Sequence, residues 1–264
     1  MRRSNVCRIE RKSNRDERMP DGGKSPMARI SKKASGTAAS KKNVSPARRS
    51  SVPATETGRV DRRQDILRSA EWLFSKHGYH PVTVRDIAAH AGVPLALVGY
   101  YFGKKHELLK TIFEHRKSYI IDRIARMRQV DCSTNNPRAV EDIVRAWAEP
   151  VLQLRVNPDG QPFSVLVARS IWEPGEEARH VVTTYYDELA AVFIETMCKA
   201  LPNVHRDKVV WGYEFSLGAL LMLIADERVE RLSQHGAKSG DVAQTELLVE
   251  FLTAGFLSAV GQRA

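Results

Sequence analysis

The stretch from Thr83 to Lys105, TVRDIAAHAGVPLALVGYYFGKK, decides the fold. It predicts two short helices joined by a tight turn. Thr83 is placed to cap the first helix, and apolar residues then recur at three- and four-residue spacing, at Val84, Ile87, Ala88 and Ala91. Gly92 suits the left-handed conformation that ends a helix, and Pro94 suits the first turn of the next one. The pattern is typical of a helix-turn-helix, whose second helix enters the DNA major groove.

Amphipathic segments flank this motif on both sides. Residues Arg62 to His77 predict a helix that ends at Gly78, with an inward stripe of Ile66, Leu67, Ala70, Leu73 and Phe74. Residues Lys104 to Arg128 predict one longer helix, with an inward stripe of Leu108, Leu109, Ile112, Phe113, Ile120, Ile121 and Ile124. Three helices therefore share one small core, and a longer fourth helix leads away from it.

Three segments of this region, ILRSAEWLFSKHGY, TVRDIAAHAGV and YYFGKKHELL, resemble the N-terminal domain of TetR-family transcriptional regulators. The resemblance covers about Arg62 to Lys117. It implies a dimeric, DNA-binding repressor rather than an enzyme. The expected organisation is a disordered basic tail at 1–60, a helix-turn-helix DNA-binding domain at 61–117, and a helical ligand-binding and dimerisation domain at 118–264.

The charge distribution agrees with DNA binding at the N-terminal end. Residues 1–60 hold 16 Lys and Arg against five Asp and Glu, whereas residues 129–264 hold 12 against 19. Basic patches attract phosphate without conferring sequence preference. Low apolar content predicts that the tail does not fold alone. Two interpretations of the tail stay open: a flexible arm that contacts phosphates or the minor groove, or a poorly ordered extension, with Met19 or Met27 as the true start.

The sequence gives no support for a membrane protein, a secreted protein or a metal-binding protein. No run of about eighteen apolar residues and no secretory signal occurs, so the expectation is a cytoplasmic protein without a membrane partner. Cys7, Cys132 and Cys198 show neither paired nor ligand-like spacing, so no disulfide, metal or other cofactor is expected. Cys198 is interpreted as a small core residue, with redox sensing as the alternative.

The C-terminal half reads as helical throughout, which predicts an all-α fold. The predicted helices are Pro137 to Val156 interrupted at Pro150, Phe163 to Trp172, Glu176 to Leu201, Asp207 to Val229, and Asp241 to Ala259. The runs Trp211 to Asp226 and Thr245 to Val260 are too apolar for an outward-facing surface. They also carry the small residues Gly218, Ala219, Ala254 and Gly255, which permit close helix approach. These runs favour a homodimer interface, and ordinary core helices are the alternative.

The predicted DNA-reading helix, PLALVGYYF from Pro94 to Phe102, offers few side chains for bidentate base contacts. Arg85, in the preceding helix, is therefore the candidate for a guanine contact, and Leu95 and Ala96 are candidates for thymine methyl groups. The resemblance adds a phosphate-contacting cluster of Tyr100, Tyr101, Lys104 and Lys105. The predicted DNA-binding residues are Thr83, Arg85, Pro94, Leu95, Ala96, Gly99, Tyr100, Tyr101, Lys104 and Lys105.

The resemblance also implies a ligand pocket in the C-terminal domain, for which the candidates are Trp147, Phe163, Arg169, Trp172, Tyr185, Tyr186 and Phe215. Arg169 interrupts the apolar run FSVLVARSIW. It either pairs with Glu173 or Asp187, lies exposed, or receives a ligand carboxylate or phosphate. The sub-pattern LALVGYYFGKK resembles a branch with sensors of fatty acids or acyl-CoA, which favours an apolar acid or an acyl-CoA as the small-molecule ligand.

Three functions are weighed on these grounds. The first is a dimeric repressor of an inverted-repeat operator in double-stranded DNA, released by a small molecule. The second is a DNA-binding regulator or architectural protein without an inducer. The third is an enzyme, which is disfavoured because the eight histidines and the carboxylates form no nucleophile, metal or phosphate-cradle pattern.

Overall fold

The computed structural model describes residues 56–261, with side chains from Asp61 onward. This range holds eleven α-helices and no strand, which confirms the all-α prediction. The helices are α1 (Glu56–His77), α2 (Val84–His90), α3 (Leu95–Phe102), α4 (Lys105–His115), α5 (Lys117–Arg128), α6 (Ala139–Val156), α7 (Gln161–Ser170), α8 (Glu176–Ala200), α9 (Arg206–Ala225), α10 (Arg228–Leu232) and α11 (Thr245–Ala259), with a 3₁₀ turn at Val242–Gln244. The predictions for the tail up to residue 55 lie outside the described residues.

The turn chemistry predicted around α2 is present in the structure. The Thr83 side chain accepts from the backbone N–H of Asp86 at 3.2 Å, and Asp86 Oδ2 accepts from the Thr83 N–H at 2.8 Å. These two bonds form a capping box, which satisfies N–H groups that a helix start leaves without partners. Gly92 then takes φ +64°, in the left-handed region, and Pro94 caps α3 with its backbone. The helix-turn-helix is confirmed.

The inward stripe predicted for α1 is buried in full, from Ile66 to Phe74. Val98 and Phe102 of α3 and the apolar face of α4 pack against it. Helix α1 ends at His77 as predicted and begins at Glu56, ahead of the predicted start at Arg62. We call the unit formed by α1 to α4 the head.

The single helix predicted from Lys104 to Arg128 is wrong, because the chain bends at Arg116 and continues as α5. Arg116 has φ −97° and ψ 3°, and its side chain turns back to bond Glu71 of α1 and the carbonyl of Asp159. The bend rotates the inward stripe of α5. As a result Ile121 is 54% exposed rather than buried, and Arg123 takes an inward place.

The interruption predicted at Pro150 is also wrong, since α6 runs through this residue to Val156. A proline in a helix removes one backbone donor and loosens the preceding turn. Arg123 of α5 donates from Nε and Nη2 to the Trp147 carbonyl in that turn, at 3.0 and 2.6 Å. These bonds join α5 to α6 close to Pro150.

Helices α9 and α11 contact each other at the end of the chain. The Phe256 ring lies against Gly212, where any Cβ would clash with it. Arg145 of α6 bonds Glu246 at 2.6 Å and so fixes the start of α11. Helix α9 ends at Ala225, short of the predicted Val229, and α10 is separate. Within the described range α9 alone has the length and hydropathy of a membrane span, with 39% of that window buried, a test that core helices of soluble proteins also pass.

Candidate DNA-binding surface and internal cavity

The outer face of α3 is apolar and open. Leu95 is 47% exposed and Tyr100 is 78% exposed, and Ala96 and Gly99 are also exposed between them. A Cβ added to Gly99 would meet nothing within 4 Å. The fold therefore does not require glycine at this position, and the face is shaped for close approach by another surface.

Polar candidates for DNA contact border this face. Arg85 and Lys104 are exposed, and Tyr101 is half-buried with its ring centroid 5.2 Å from that of Tyr100. The Thr83 hydroxyl donates to Asp86 Oδ2 at 2.7 Å, so its proton is engaged in the capping box. The structure thus brings most of the predicted DNA-binding residues to one exposed region of the head.

Lys105 departs from its predicted role as a phosphate contact. Its ammonium donates to the carbonyls of Tyr79, His80 and Val82 at 3.0, 3.2 and 3.0 Å, and it lies 4.2 Å from the Tyr79 ring centroid. Burial lowers the pKa of Lys105 despite the nearby carboxylates of Glu177 and Glu173. Because an ammonium has three donors and all three are used inside the head, Lys105 secures the turn before α2.

A narrow cavity of about 40 Å³ lies among α5, α6, α7, α8 and α9. Three of the ligand candidates, Trp147, Phe163 and Tyr186, line it. Most of its remaining wall is aliphatic, with leucine, isoleucine and valine side chains. Ligand sites of drug size measure about 300–1,000 Å³. A molecule of that size enters this cavity only if the helices move apart.

Four predicted ligand residues lie away from this cavity. Trp172 is 74% exposed and Phe215 is 64% exposed, on surfaces of their own. Tyr185 is buried, and its hydroxyl donates to Glu114 at 2.7 Å. Arg169 is exposed and forms no salt bridge with Glu173 or Asp187. Of the aromatic candidates, the structure buries Trp147, Phe163 and Tyr185, half-buries Tyr186, and leaves Trp172 and Phe215 exposed.

Sequence reasoning missed the polar end of the cavity, formed by Tyr119, Arg123 and Tyr213. Arg123 is 4% exposed, which is rare for arginine. One signal could have found it: arginine interrupts the stripe Ile120, Ile124 and Met127, all of which are buried.

A second cleft, of about 280 Å³, lies between α1 and the C-terminal helices. Three basic side chains line it, Lys76, Arg155 and Arg169, together with the acidic Glu227. Ile224 belongs to the walls of both the cleft and the cavity. This cleft is where the structure places Arg169.

Two family descriptions match the chain at these two regions. Residues 66–112 match "Bacterial regulatory proteins, tetR family", and residues 145–255 match "Tetracyclin repressor-like, C-terminal domain". The two matches cover the head and the helices around the cavity. The chain belongs to the TetR family.

Relatives agree with this assignment to the TetR family. The chain is similar to the HTH-type transcriptional repressor KstR2 of Rhodococcus jostii (strain RHA1), with 28% identity over 149 residues, 54% of this chain and 65% of that protein. It is also similar to the HTH-type transcriptional regulator HbdR of Aromatoleum sp. (strain CIB), with 41% identity over 49 residues, 19% of this chain and 21% of that one. The similarity spans less than two thirds of either relative.

Solved TetR-like structures share the fold. The fatty acid degradation regulator FadR from Bacillus halodurans superposes with a TM-score of 0.54 at 16% identity, covering 74% of this chain and 95% of that one. A TetR-family transcriptional regulator from Bordetella parapertussis 12822 gives 0.55 at 18% identity, covering 74% and 96%. The chain is therefore a DNA-binding transcriptional regulator of TetR architecture.

In this TetR-family protein, the wall of the cavity touches the head directly. Phe163 and Tyr186 line the cavity, and their ring centroids lie 5.2 and 6.4 Å from that of Phe113 in α4. The Arg116 guanidinium lies 5.8 Å from the Phe163 ring and bonds Glu71 at 2.9 Å. A change in cavity volume therefore acts on residues that pack against α4 and α1.

Proposed function

We propose that this regulator is a dimeric repressor that leaves an inverted-repeat operator when a small molecule occupies the cavity. The observation that carries the proposal is an apolar stripe on α9 and α11 that the fold leaves uncovered. It consists of Trp211, Phe215, Gly218 and Met222 on α9 and Leu247, Phe251 and Gly255 on α11. We call these residues the uncovered stripe.

The spacing of the uncovered stripe supports packing against a second copy. Positions 211, 215, 218 and 222 follow three- and four-residue steps, and 247, 251 and 255 follow four-residue steps, so each set shares one face of its helix. Phe215 and Phe251 are 64% and 65% exposed, and a groove of about 320 Å³ runs between the two helices. A Cβ added to Gly218 or Gly255 would meet nothing within 4 Å, which leaves room for a partner helix. The occupant we propose is the same pair of helices from a second copy, forming a four-helix interface.

Dimerisation fits the demands of the head. A helix-turn-helix reads a short half-site, and two heads related by a two-fold axis read two half-sites about 34–36 Å apart or a multiple of that distance. We assign base contacts to Arg85, Leu95 and Ala96, and close backbone approach to Gly99. Tyr100, Tyr101 and Lys104 are assigned to phosphates, with Pro94 at the helix start and Thr83 as a cap that orients α2. The proposed domain boundary at 117 falls beside the bend at Arg116.

The ligand we propose is an apolar acid or an acyl-CoA. The aliphatic and aromatic wall of the cavity supports the apolar part. A ligand shifts the equilibrium between the DNA-bound and the released arrangement of the two heads only if it binds one of them more tightly. The coupling free energy is typically about 1–3 kcal/mol. Because Phe163 and Tyr186 pack on Phe113, widening the cavity is coupled to the position of α4.

One observation favours the alternative, a regulator without an inducer. A cavity of about 40 Å³ holds only one or two water molecules as it stands. If the helices do not separate, the protein binds DNA constitutively. Screening small molecules for release of bound operator distinguishes the two functions, since only the first predicts a releasing compound.

Selection of binding sites from random DNA tests the proposed function. We expect the wild-type protein to enrich an inverted repeat with two-fold symmetry. Arg85→Ala should keep the spacing of the two half-sites and lose one G·C preference in each, at a cost of about 1–3 kcal/mol on the selected site. Lys104→Ala serves as the comparison, because the loss of a phosphate contact weakens binding to all DNA sequences alike. Enrichment of single half-sites would contradict the proposal.

Gly99→Ala separates the stability of the head from its function. Alanine is the better helix former and meets open space at this position, so the free energy of unfolding should rise by about 0.5–1 kcal/mol. Operator affinity should fall, because the added methyl group holds the α3 backbone away from the bases. Thermal melting and operator titration of the same preparation measure both effects. An unchanged affinity would show that Gly99 does not face the DNA.

A further inference from the structure

The polar end of the cavity contains a buried positive charge without a negative partner. Arg123 is 4% exposed and lines the cavity. Its Nε and Nη2 both donate to one neutral acceptor, the Trp147 carbonyl. Among the described residues no carboxylate forms a salt bridge with it. Burying an unpaired charge costs several kcal/mol, so an uncompensated arginine in an apolar wall is a poor structural device.

Two phenol groups beside Arg123 have no hydrogen-bond partner. The hydroxyls of Tyr119 and Tyr186 are buried and unbonded, although buried hydroxyls nearly always find partners. The Arg123 guanidinium lies 5.5 Å from the Tyr119 ring centroid and 5.9 Å from that of Trp147. All three groups line the same cavity, at the junction of α5, α6 and α8.

The three groups share one electrostatic environment. Burial raises the pKa of Tyr119 and of Tyr186, and in both cases the charge of Arg123 acts in the opposite direction; for Tyr119 a side-chain interaction with Arg123 lowers the pKa as well. Burial likewise raises the pKa of Tyr213, to about 12, again against the charge of Arg123. The phenols are therefore neutral near pH 7 and keep their protons for donation.

We propose that Arg123, Tyr119 and Tyr186 form an anchor for the carboxylate of an apolar acid, whose hydrocarbon body lies along the aliphatic wall of the cavity. The proposal rests on the proposed function and narrows its ligand to the free acid. A carboxylate supplies the missing negative charge and accepts several hydrogen bonds, from Arg123 and from both phenols. An ester or a thioester carries no charge at the equivalent position. In an acyl-CoA, the coenzyme A group must also fit beside three buried side chains.

This anchor differs from the one expected on sequence grounds. Arg169 is exposed in the second cleft, where water screens its charge. Arg123 is 4% exposed, and for a buried group a charge-assisted bond is stronger and discriminates better between charged and neutral ligands. The cavity thus selects for the head group as well as for the apolar body.

Calorimetric titration of the dimeric protein with a defined panel tests the anchor. The panel is hexanoate, decanoate, hexadecanoate, 4-phenylbutanoate and cholate, with methyl decanoate and decanol as neutral-head counterparts of decanoate and decanoyl-CoA as its thioester, whose only charges lie on the coenzyme A part. We expect at least one acid to bind, and we expect the neutral-head counterparts and the thioester to bind more weakly than decanoate. For the acid that binds best, Arg123→Met should lower affinity by about 100-fold or more. Arg126→Met, an exposed arginine on the same helix that pairs only with Asp122, should leave it unchanged.

The tyrosine variants keep the test valid if Arg123→Met does not fold. Tyr119→Phe and Tyr186→Phe remove hydroxyls that bond nothing in the free protein, so each should melt at least as high as the wild type. Each should bind the acid about 5- to 10-fold more weakly. A purely structural cluster would lose stability in these variants and leave acid binding unaffected.

The outcomes that overturn the anchor are distinct from those that overturn induction. The anchor fails if no acid of the panel binds, if decanoyl-CoA or methyl decanoate binds as tightly as decanoate, or if Arg123→Met binds the acid normally. If acids bind through Arg123 yet operator DNA stays bound, the anchor stands and the proposed release fails. If DNA is released by neutral-head compounds alone, release stands and the anchor fails.

Discussion

Phe251→Glu is expected to convert the protein to a monomer and to lower operator affinity by about 10²- to 10⁴-fold, the range lost when two linked binding events become independent. Phe251 is 65% exposed at the centre of the uncovered stripe, between Leu247 and Gly255 on α11. In a four-helix interface the two copies of α11 bury this position. A glutamate there places an unpaired charge in an apolar contact, whereas in the monomer it lies in water at little cost.

Sedimentation velocity and operator titration measure the two effects of Phe251→Glu. Trp172→Glu is the matched control, because Trp172 is a large, 74% exposed aromatic residue outside the uncovered stripe. It should remain dimeric and bind DNA normally. A dimeric Phe251→Glu protein would place the interface elsewhere on the molecule. Melting temperatures of both variants near that of the wild type would show that the substitution acts on assembly rather than folding.

Arg116→Met is expected to destabilise the protein by about 3–5 kcal/mol near pH 8, the cost of leaving a buried carboxylate unpaired. The partner is Glu71 of α1, whose side chain is 7% exposed and bonds Arg116 at 2.9 Å. Burial raises the pKa of Glu71, and the hydrogen bond and charge of Arg116 are the main opposing effects; His115 also lowers this pKa slightly, whereas Asp159 raises it slightly. Removing Arg116 raises this pKa further.

The sign of the pH dependence follows from the raised pKa. A carboxyl whose pKa is higher in the folded state binds its proton more tightly there. Its stabilising contribution is complete below the unfolded pKa and is lost as pH rises through the folded one. The loss in free energy of unfolding caused by Arg116→Met should therefore grow from pH 4 to pH 8. Denaturant unfolding at several pH values measures it.

Glu71→Gln provides the comparison for the same ion pair. Glutamine still accepts a hydrogen bond from Arg116 and carries no charge. We therefore expect the free energy of unfolding to fall by about 1 kcal/mol or less, with little dependence on pH. The double variant should recover most of what Arg116→Met loses. Equal costs for the two single variants, or a cost of Arg116→Met that does not grow with pH, would contradict this account of the pair.

The helix-turn-helix was predictable because its signals are local. Thr83, Gly92 and the three- and four-residue spacing of the apolar residues act on neighbours within a few positions. They act through hydrogen bonds and backbone conformations that the residue types themselves specify. The burial of the α1 stripe follows from the same periodicity. These elements appear in the structure where the sequence placed them.

The errors have tertiary causes. Arg116, at the bend, bonds Glu71 and the Asp159 carbonyl, which lie 45 and 43 residues away in sequence, and Arg123 bonds the Trp147 carbonyl of α6, 24 residues away. No pattern within one helix reveals such partners. The same holds for Lys105, whose three acceptors lie in the turn before α2.

The ligand candidates show which features of the structure helical periodicity predicts and which it does not. Periodicity identifies which residues are apolar and which face they share, but not whether another helix covers that face. Phe215 belongs to a face that the chain itself leaves open, while Trp147 belongs to one that four other helices close. Tyr119 and Arg123 were overlooked because polar side chains on an inward stripe look like exceptions until their surroundings are known.

The four tryptophans of the chain occupy four different environments. Trp147 is 1% exposed in the cavity wall, and Trp211 is 62% exposed on the uncovered stripe. Trp72 stacks on His90 within the head at 4.9 Å, and Trp172 lies 74% exposed after α7. Indole emission shifts to shorter wavelength as water is excluded from the ring. Tryptophan-to-phenylalanine variants would therefore give separate optical signals for filling of the cavity, assembly of subunits and movement of the head, with no attached dye.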